Sequence, residues 1–121
     1  MEMPPRTIED AVGRAALDAV TAGATDRASI ATAVRWTLQR LAEDVPGNSV
    51  EVRVPPFAAV QAVPGPRHTR GTPPNVVETD PTTWLALATG RLRWDDPDTA
   101  RRVSASGSRA DLAAFLPVRL R

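Results

Sequence analysis

The sequence predicts a single α/β domain in which helices cover a sheet, and three local patterns carry this prediction. Apolar residues recur every three or four positions between Ile30 and Val45, which is typical of an amphipathic helix. Valines alternate with charged residues over positions 50–54, which is the period-two pattern of a half-buried strand. The stretch 75–94 combines a β-favouring run, an Asp-Pro corner, an apolar helix and a stopping glycine. A chain of 121 residues is the usual size of one domain, so we expect residues 1–121 to form one unit.

The bulk composition limits the classes of function. The net charge is +1, so no global field favours a nucleic acid or an anionic membrane surface. There is no cysteine, which excludes disulfides, thiolate nucleophiles and the common structural zinc sites. The first residues have no apolar run typical of a signal peptide, and no stretch approaches the roughly 18 apolar residues of a membrane span. We therefore expect a soluble cytoplasmic protein with no nucleic acid partner and no stable membrane insertion.

The N-terminal part predicts a frayed arm over residues 1–6 and an alanine-rich, peripheral helix over residues 7–23. Thr7 is the expected N-cap, and Asp10 completes an approximate capping box. The helix has a thin apolar stripe that could pack either on the domain or on a partner. The stripe consists of Ile8, Val12, Ala16 and Val20.

A second helix is predicted to open at Thr25-Asp26, and it carries Trp36 outside its apolar stripe. Trp36 has two interpretations: a rim residue under a loop, or a contact with a second chain. A homodimer or a protein partner could therefore bind through the Val12 to Val20 helix and Trp36.

Two adjacent strands follow this helix. The valine-rich strand at 50–54 ends at Pro55-Pro56, because proline donates no hydrogen bond to a ladder. Residues 57–63 predict a second strand of a more buried type, antiparallel to the first. A third strand spans Val76 to Thr79 and leads into the Asp80-Pro81 corner.

The corner predicts a helix, because Asp80 can accept the orphan N–H groups of a first turn and Pro81 fits the first helical position. Gly90 ends this helix, since glycine adopts the left-handed conformation of a helix C-terminus at no steric cost.

The C-terminal third predicts a short helix, a strand and a last helix. Asp96-Pro97 opens a helix to about Arg101, and residues 102–106 form a strand. Ser108 with Asp111 makes a second capping box, which predicts a helix that Pro117 stops. Its apolar residues are Leu112, Phe115 and Leu116.

One loop is a candidate anion-binding site. Arg67, His68 and Arg70 lie among prolines and glycines, and Asn75 follows at the mouth of the next strand. Paired guanidinium groups suit a carboxylate or phosphate, and proline would preorganise the loop. The alternative is structural, with the arginines paired to acidic residues of the same chain. These acids are Glu78, Asp80, Asp95 and Asp96.

No catalytic constellation is visible in the sequence. The single histidine and the serines at 104, 106 and 108 have no spacing that suggests a nucleophile and base. The aspartates at 95, 96 and 98 are explained better as helix caps than as metal ligands. We therefore assign no catalytic residue, no metal and no cofactor, and expect a protein without enzymatic activity.

The chain resembles the sterol-carrier-protein superfamily. The resemblance lies in VVETDPTTWLALATGRLRW at 76–94 and RRVSASGSRADLAAFLP at 101–117, and it covers about 25–117. Residues 50–81 resemble more specifically a small actinobacterial sterol-carrier-like family, and they are also similar to the C-terminal domain of mycothiol-dependent maleylpyruvate isomerases. The resemblance implies a curved, mostly antiparallel sheet of four to five strands covered by helices.

The resemblance also implies a function. Many of its members hold a lipid or acyl chain between sheet and helices, so the chain is expected to be a non-catalytic binding module for an apolar small molecule. Alternatively it is an accessory domain without its own ligand, a homodimer or the partner of a mycothiol-dependent enzyme. A third alternative is an enzyme or binder for an anionic substrate at the loop from Arg67 to Arg70. The expected apolar pocket residues are Trp84, Leu87, Trp94, Leu112, Phe115 and Leu116, although Trp84 and Trp94 also fit a core.

Overall fold

A computed structural model describes residues 7–65 and 75–120, and in these ranges four helices and four strands form an α/β domain. The helices and strands are α1 Asp10–Thr21, α2 Arg27–Asp44, β1 Val50–Val54, β2 Ala58–Ala62, β3 Val76–Thr79, α3 Pro81–Thr89, α4 Pro97–Arg102 and β4 Val103–Ser106. A 3-10 turn, Ala113–Phe115, lies in residues 107–120, which we call the C-terminal segment. The helices α2, α3 and α4 and all four strands were predicted at these places.

The four strands form one mixed sheet in the order β2-β1-β3-β4. β2 pairs antiparallel with β1, as predicted, and β4 pairs antiparallel with β3. β3 lies on the other side of β1 and runs parallel to it. The parallel pair follows from the chain path: β2 reverses the direction of β1, and the next strand reverses it again before pairing with β1. The predicted α/β class and four-stranded sheet are therefore confirmed, with a mostly antiparallel pairing.

The two faces of the sheet differ in polarity. Val52 lies between Val60 and Val77 on one face, and it is wholly buried. Arg53 and Glu78 are neighbours on the opposite face, where Glu78 is exposed. Because side chains alternate along a strand, the valines of β1 all point to one side. The helices α2 and α3 pack on that apolar side.

Two tryptophans join α2 and α3 to the core. Trp84 of α3 is wholly buried, and its Nε1 donates to Thr37 Oγ1 of α2 at 2.8 Å. Thr37 Oγ1 in turn donates to the carbonyl of Ala33 at 2.8 Å, so the buried polar atoms of both side chains are satisfied. A buried tryptophan of this kind contributes the largest apolar surface of its helix.

The helix α1 packs tightly against α2, and two predictions about this region were wrong. The helix begins at Asp10 after Glu9, without a side-chain cap from Thr7. Trp36 is 0 % exposed, so it is neither a rim residue nor available to a second chain. Its ring lies against Gly13, where a methyl group would overlap the indole, and its Nε1 donates to Asp10 Oδ1 at 3.1 Å.

The predicted apolar stripe is confirmed for Ile8, Ala16 and Val20, which are half-buried against the core. Gly13 and Leu17 face α2 and are buried, whereas Val12 is 54 % exposed. A partner contact through the Val12 to Val20 helix stays a prediction.

Two further predictions fail in the second half of the chain. The strand β2 was expected to be the more buried one, but it forms an edge of the sheet, and Ala59 and Gln61 are exposed. A helix was expected from Ser108, but the C-terminal segment contains only the 3-10 turn. Because β2 has a neighbour on one side only among the described residues, one of its edges has no strand to shield it.

Candidate ligand-binding site

A cleft of about 420 Å³ opens where the C-terminal end of α3 meets the C-terminal segment. Its walls combine apolar side chains with one ion pair at the rim. The residues that line it are Leu87, Gly90, Leu92, Arg93, Trp94, Asp95, Ala113, Leu116 and Pro117.

Gly90 shapes the first wall of the cleft. It has φ 83°, and its N–H donates to the carbonyl of Leu87 at 3.2 Å. The N–H of Leu92 donates to the carbonyl of Ala86 at 3.0 Å, which closes the last turn of the helix. The bond from Gly90 is the usual way in which a left-handed glycine satisfies a final carbonyl of a helix. The chain consequently turns back sharply, and Leu92 and Trp94 are presented beside the helix end.

Hydrogen bonds fix the segment that carries Trp94. The carbonyl of Arg93 accepts from Thr99 Oγ1 at 2.6 Å and from the N–H of Asp96 at 3.2 Å. The Arg93 side chain forms an exposed ion pair with Asp95 at 3.2 Å. An exposed pair of this kind contributes little stability, so its charges are available at the rim of the cleft.

The C-terminal segment forms the opposite wall. The N–H of Val118 donates to the carbonyl of Ala88 at 3.0 Å, which holds the segment across the end of α3. Leu112 is wholly buried and anchors the segment in the core, whereas Leu116 is half-buried and faces the cleft. The cleft is therefore bounded by two chain segments that the hydrogen bond between Val118 and Ala88 joins at one end.

A guest was expected between sheet and helices, but the part of this layer around β1 is filled by side chains. Val52 and Val54 of the sheet and Trp36, Leu38 and Trp84 of the helices are all 0 % exposed. A water-sized void beside any of these side chains would leave part of its surface accessible, so these residues border no such void. The cleft at the end of α3 is thus separate from the position expected between the layers.

The predicted pocket residues are divided between the cleft and the core. Leu87, Trp94 and Leu116 line the cleft. Trp84 and Leu112 are wholly buried, and Phe115 lines a neighbouring depression of about 280 Å³. Sequence reasoning did not assign Leu92, Ala113 or Pro117 to the site. Leu92 could have been assigned from its place beside Trp94, because the two apolar residues follow Gly90 one residue apart. The positions of Ala113 and Pro117 depend on how the C-terminal segment folds.

The candidate anion loop lies outside the described residues at Arg67, His68 and Arg70, and it stays a prediction. Its neighbour Asn75 is buried and bonded within the chain. Asn75 Nδ2 donates to the carbonyl of Ser49 at 2.8 Å, and Oδ1 accepts from the N–H of Arg109 at 2.8 Å. Asn75 therefore joins the start of β1 to the C-terminal segment.

Three acids that were considered as partners of the loop arginines already have local partners. Asp80 accepts from the N–H of Thr83 at 2.6 Å, and Asp96 accepts from the N–H of Asp98 at 2.9 Å, each as a helix cap. Asp95 is paired with Arg93. Among residues 7–65 and 75–120, no group of three or more acidic, histidine or cysteine side chains could hold a metal ion.

Comparison with known proteins identifies the family. The model of the family described as "Bacterial SCP ortholog" matches residues 26–118. The chain belongs to this family. No curated protein matches the chain. The resemblance of the sequence to sterol carrier proteins is confirmed. The match also supports a module of the general lipid-carrier type.

The family match includes the cleft but not the helix α1. Every residue that lines the cleft lies within 26–118, whereas α1 precedes the matched region. The helix α1 covers Trp36 with Gly13 and buries its own Leu17, so it is part of the folded chain although it is outside the family match. Among the described helices of the SCP domain, none combines the length and apolarity that crossing a bilayer requires.

Proposed function

We propose that this protein is a non-catalytic carrier module that holds the apolar part of a small amphiphile in the cleft at the end of α3. The family membership supports a carrier of this type, and the observation that carries the proposal is the cleft itself. Its volume of about 420 Å³ falls in the range of small-molecule sites.

The lining supports an amphiphilic ligand. Leu92, Trp94 and Leu116 are only half-buried, and large apolar side chains gathered at a concave surface favour an apolar guest. The Arg93–Asp95 ion pair at the rim can exchange one partner for the polar end of such a guest. An apolar tail against the leucines and a polar head at the rim would therefore satisfy both kinds of lining.

The three tryptophans provide a specific test. Trp36 and Trp84 are wholly buried, whereas Trp94 is half-exposed in the cleft. A fluorescent acyl chain that binds in the cleft should quench or blue-shift the emission of Trp94. The variant Trp94→Phe should lose this signal while the emission of the two buried tryptophans persists. Displacement of the probe by unlabelled fatty acid would then measure affinity independently of tryptophan.

Two variants sharpen the test. Leu116→Asp places a charge on the wall of the cleft and should weaken probe binding about tenfold or more. Val12→Asp makes the same kind of change on an exposed apolar residue of α1 and should leave probe binding unchanged. No saturable binding to the folded wild type, or equal loss in both variants, would contradict the proposal.

The other functions stay predictions of the sequence. A binder or enzyme for an anionic substrate would use Arg67, His68 and Arg70, which the structure does not describe. A protein partner such as a mycothiol-dependent enzyme, an actinobacterial kinship and a cytoplasmic location likewise rest on the sequence alone.

A further inference from the structure

Within residues 7–65 and 75–120, the outer edge of β2 lacks two of the usual protections against pairing. The strand, Ala58–Ala62, contains no charged residue and no proline, although natural edge strands are commonly protected by one or the other. Among the described residues no strand pairs with its outer side. Beside it, a groove of about 560 Å³ separates the strand from α2. The residues that border the groove include Ile8, Arg35, Gln39, Glu43, Phe57 and Val60.

The helix α2 and the strand β2 run side by side in the same direction. Halfway along α2, Arg35 Nε donates at 3.3 Å to the carbonyl of Phe57, the residue just before β2. At their ends, the N–H of Val63 donates to the carbonyl of Val45 at 2.8 Å. These two bonds join residues 35 and 45 to residues 57 and 63. The midpoint of the strand, Val60, therefore lies beside the midpoint of helix residues 35–45, near Gln39.

The charges along the groove are self-complementary about this midpoint. Arg35 and Glu43 lie equally far from Gln39 along α2, and both are exposed. Gln39 itself is held in place, because its side-chain amide donates to the carbonyl of Ile8 at 2.9 Å and accepts from the N–H of Ile8 at 2.9 Å. A two-fold axis that passes between the two copies beside Gln39 would place Arg35 of each copy opposite Glu43 of the other, which gives two equivalent pairs. Glu43 also lies 3.6 Å from Arg40, but its side chain remains 50 % exposed.

We propose that this edge is a self-association surface, on which β2 of a second copy pairs antiparallel about a two-fold axis near Val60. An antiparallel strand pair and two antiparallel helices can share one such axis, since the interface is isologous. The two sheets become continuous, and the two α2 helices lie on the same side of the joined sheet. This surface involves neither Trp36 nor the cleft, so it is independent of the proposed ligand binding.

Charge reversal tests the interface directly. Sedimentation of the full chain over a range of concentrations should show a monomer–dimer equilibrium. Arg35→Glu alone places two acids opposite each other, and Glu43→Arg alone places two arginines opposite each other. Each variant should weaken dimerisation about tenfold or more, because like charges across an interface are strongly unfavourable. The double variant Arg35→Glu with Glu43→Arg restores opposite charges and should recover the wild-type dissociation constant.

A matched control and a second readout keep the test decisive. Arg91→Glu is a reversal on an exposed residue away from the groove and should leave dimerisation unchanged. Hydrogen exchange at the amides of Ala58–Ala62 should slow as the concentration rises, because outward-facing amides of the strand become bonded. Circular dichroism checks that each variant is folded. If one single variant does not fold, the other single variant and the double variant still test whether the charges lie across the dimer interface.

Three results would overturn the proposal. The first is a wild type that is monomeric at every concentration. The second is a dimer that neither single reversal weakens, which would place the interface elsewhere. The third is a monomer in which the amides of Ala58–Ala62 are already protected, which would mean that the chain covers its own edge.

Discussion

The helix α3 and the C-terminal segment carry similar sequence signals but fold differently. Asp80 begins α3 as predicted, and the helix extends over Pro81–Thr89 to Gly90. Ser108 and Asp111 form a comparable capping pattern before an apolar stretch, yet only the 3-10 turn Ala113–Phe115 results. The difference shows that a capping signal produces a helix only where the tertiary contacts of the chain leave room for one.

Contacts at the two ends of the C-terminal segment account for its largely non-helical path. The N–H of Arg109, which would lie in the first turn of the expected helix, donates to Asn75 Oδ1 at 2.8 Å. At the other end, the N–H of Val118 donates to Ala88 at 3.0 Å. The segment therefore connects the end of β4 to the end of α3 in a largely non-helical form, with Asp111 capping the N–H of Ala113 instead.

The largest expected effect compares aromatic side chains from the two regions. Trp84→Ala removes a wholly buried ring and the donor to Thr37, so we expect a loss of roughly 3–5 kcal/mol in the free energy of unfolding. Phe115→Ala removes a half-buried ring from the C-terminal segment and should cost only roughly 1–2 kcal/mol. Urea unfolding of both variants measures the difference, and equal losses would contradict the contrast between the regions.

The next effect concerns the anchor of the C-terminal segment. Asn75→Ala leaves the buried carbonyl of Ser49 and the N–H of Arg109 without their partner, which should cost roughly 1–3 kcal/mol. Hydrogen exchange should also accelerate at Arg109. The matched variant Asn75→Asp keeps an acceptor for Arg109 but not the donor to Ser49, so it should leave exchange at Arg109 less affected. If Asn75→Ala leaves exchange there unchanged, the anchor has been misassigned.

A direct comparison of the two caps should give a smaller effect. Asp80→Ala removes the carboxylate that accepts from Thr83 and should destabilise the protein by about 1 kcal/mol. Ser108→Ala changes an exposed residue that caps no helix, so its effect should stay within about 0.5 kcal/mol. Thermal unfolding of the pair is sufficient, and a larger loss for Ser108→Ala would reverse the interpretation.

The smallest effect tests whether a cap acts through charge. The hydrogen bonds from the Ser29 side chain and backbone lower the pKa of Asp26 below its ordinary 3.8. A carboxyl with a lowered pKa contributes stability at higher pH and loses that contribution as pH falls through the folded-state pKa. Asp26→Asn should therefore be slightly less stable than the wild type at neutral pH, and this difference should vanish in acid. A stability difference that is independent of pH would show that charge is not involved.

The candidate site was only partly predictable from the sequence. Leu87 and Trp94 were expected in a pocket from the family resemblance, and both line the cleft beside the left-handed turn at Gly90. Leu116 was expected on a helix, and it reaches the cleft through a non-helical segment instead. Trp36 was placed at the surface because its position falls outside the helical stripe, although α1 covers it. No local pattern shows which second helix will cover a given side chain.

The sequence by itself determined the local elements: the period-two valines of β1, the capped helix α2 and the Asp80-Pro81 entry to α3 each form where their own residues favour them. Only the tertiary structure decided that β1 has a parallel neighbour, that β2 is an edge, and that the C-terminal segment stays mostly non-helical. The physical reason is the distance along the chain over which each kind of interaction acts. Capping and periodicity act within a few residues, whereas burial and the contacts of Asn75 join residues that are far apart in the chain.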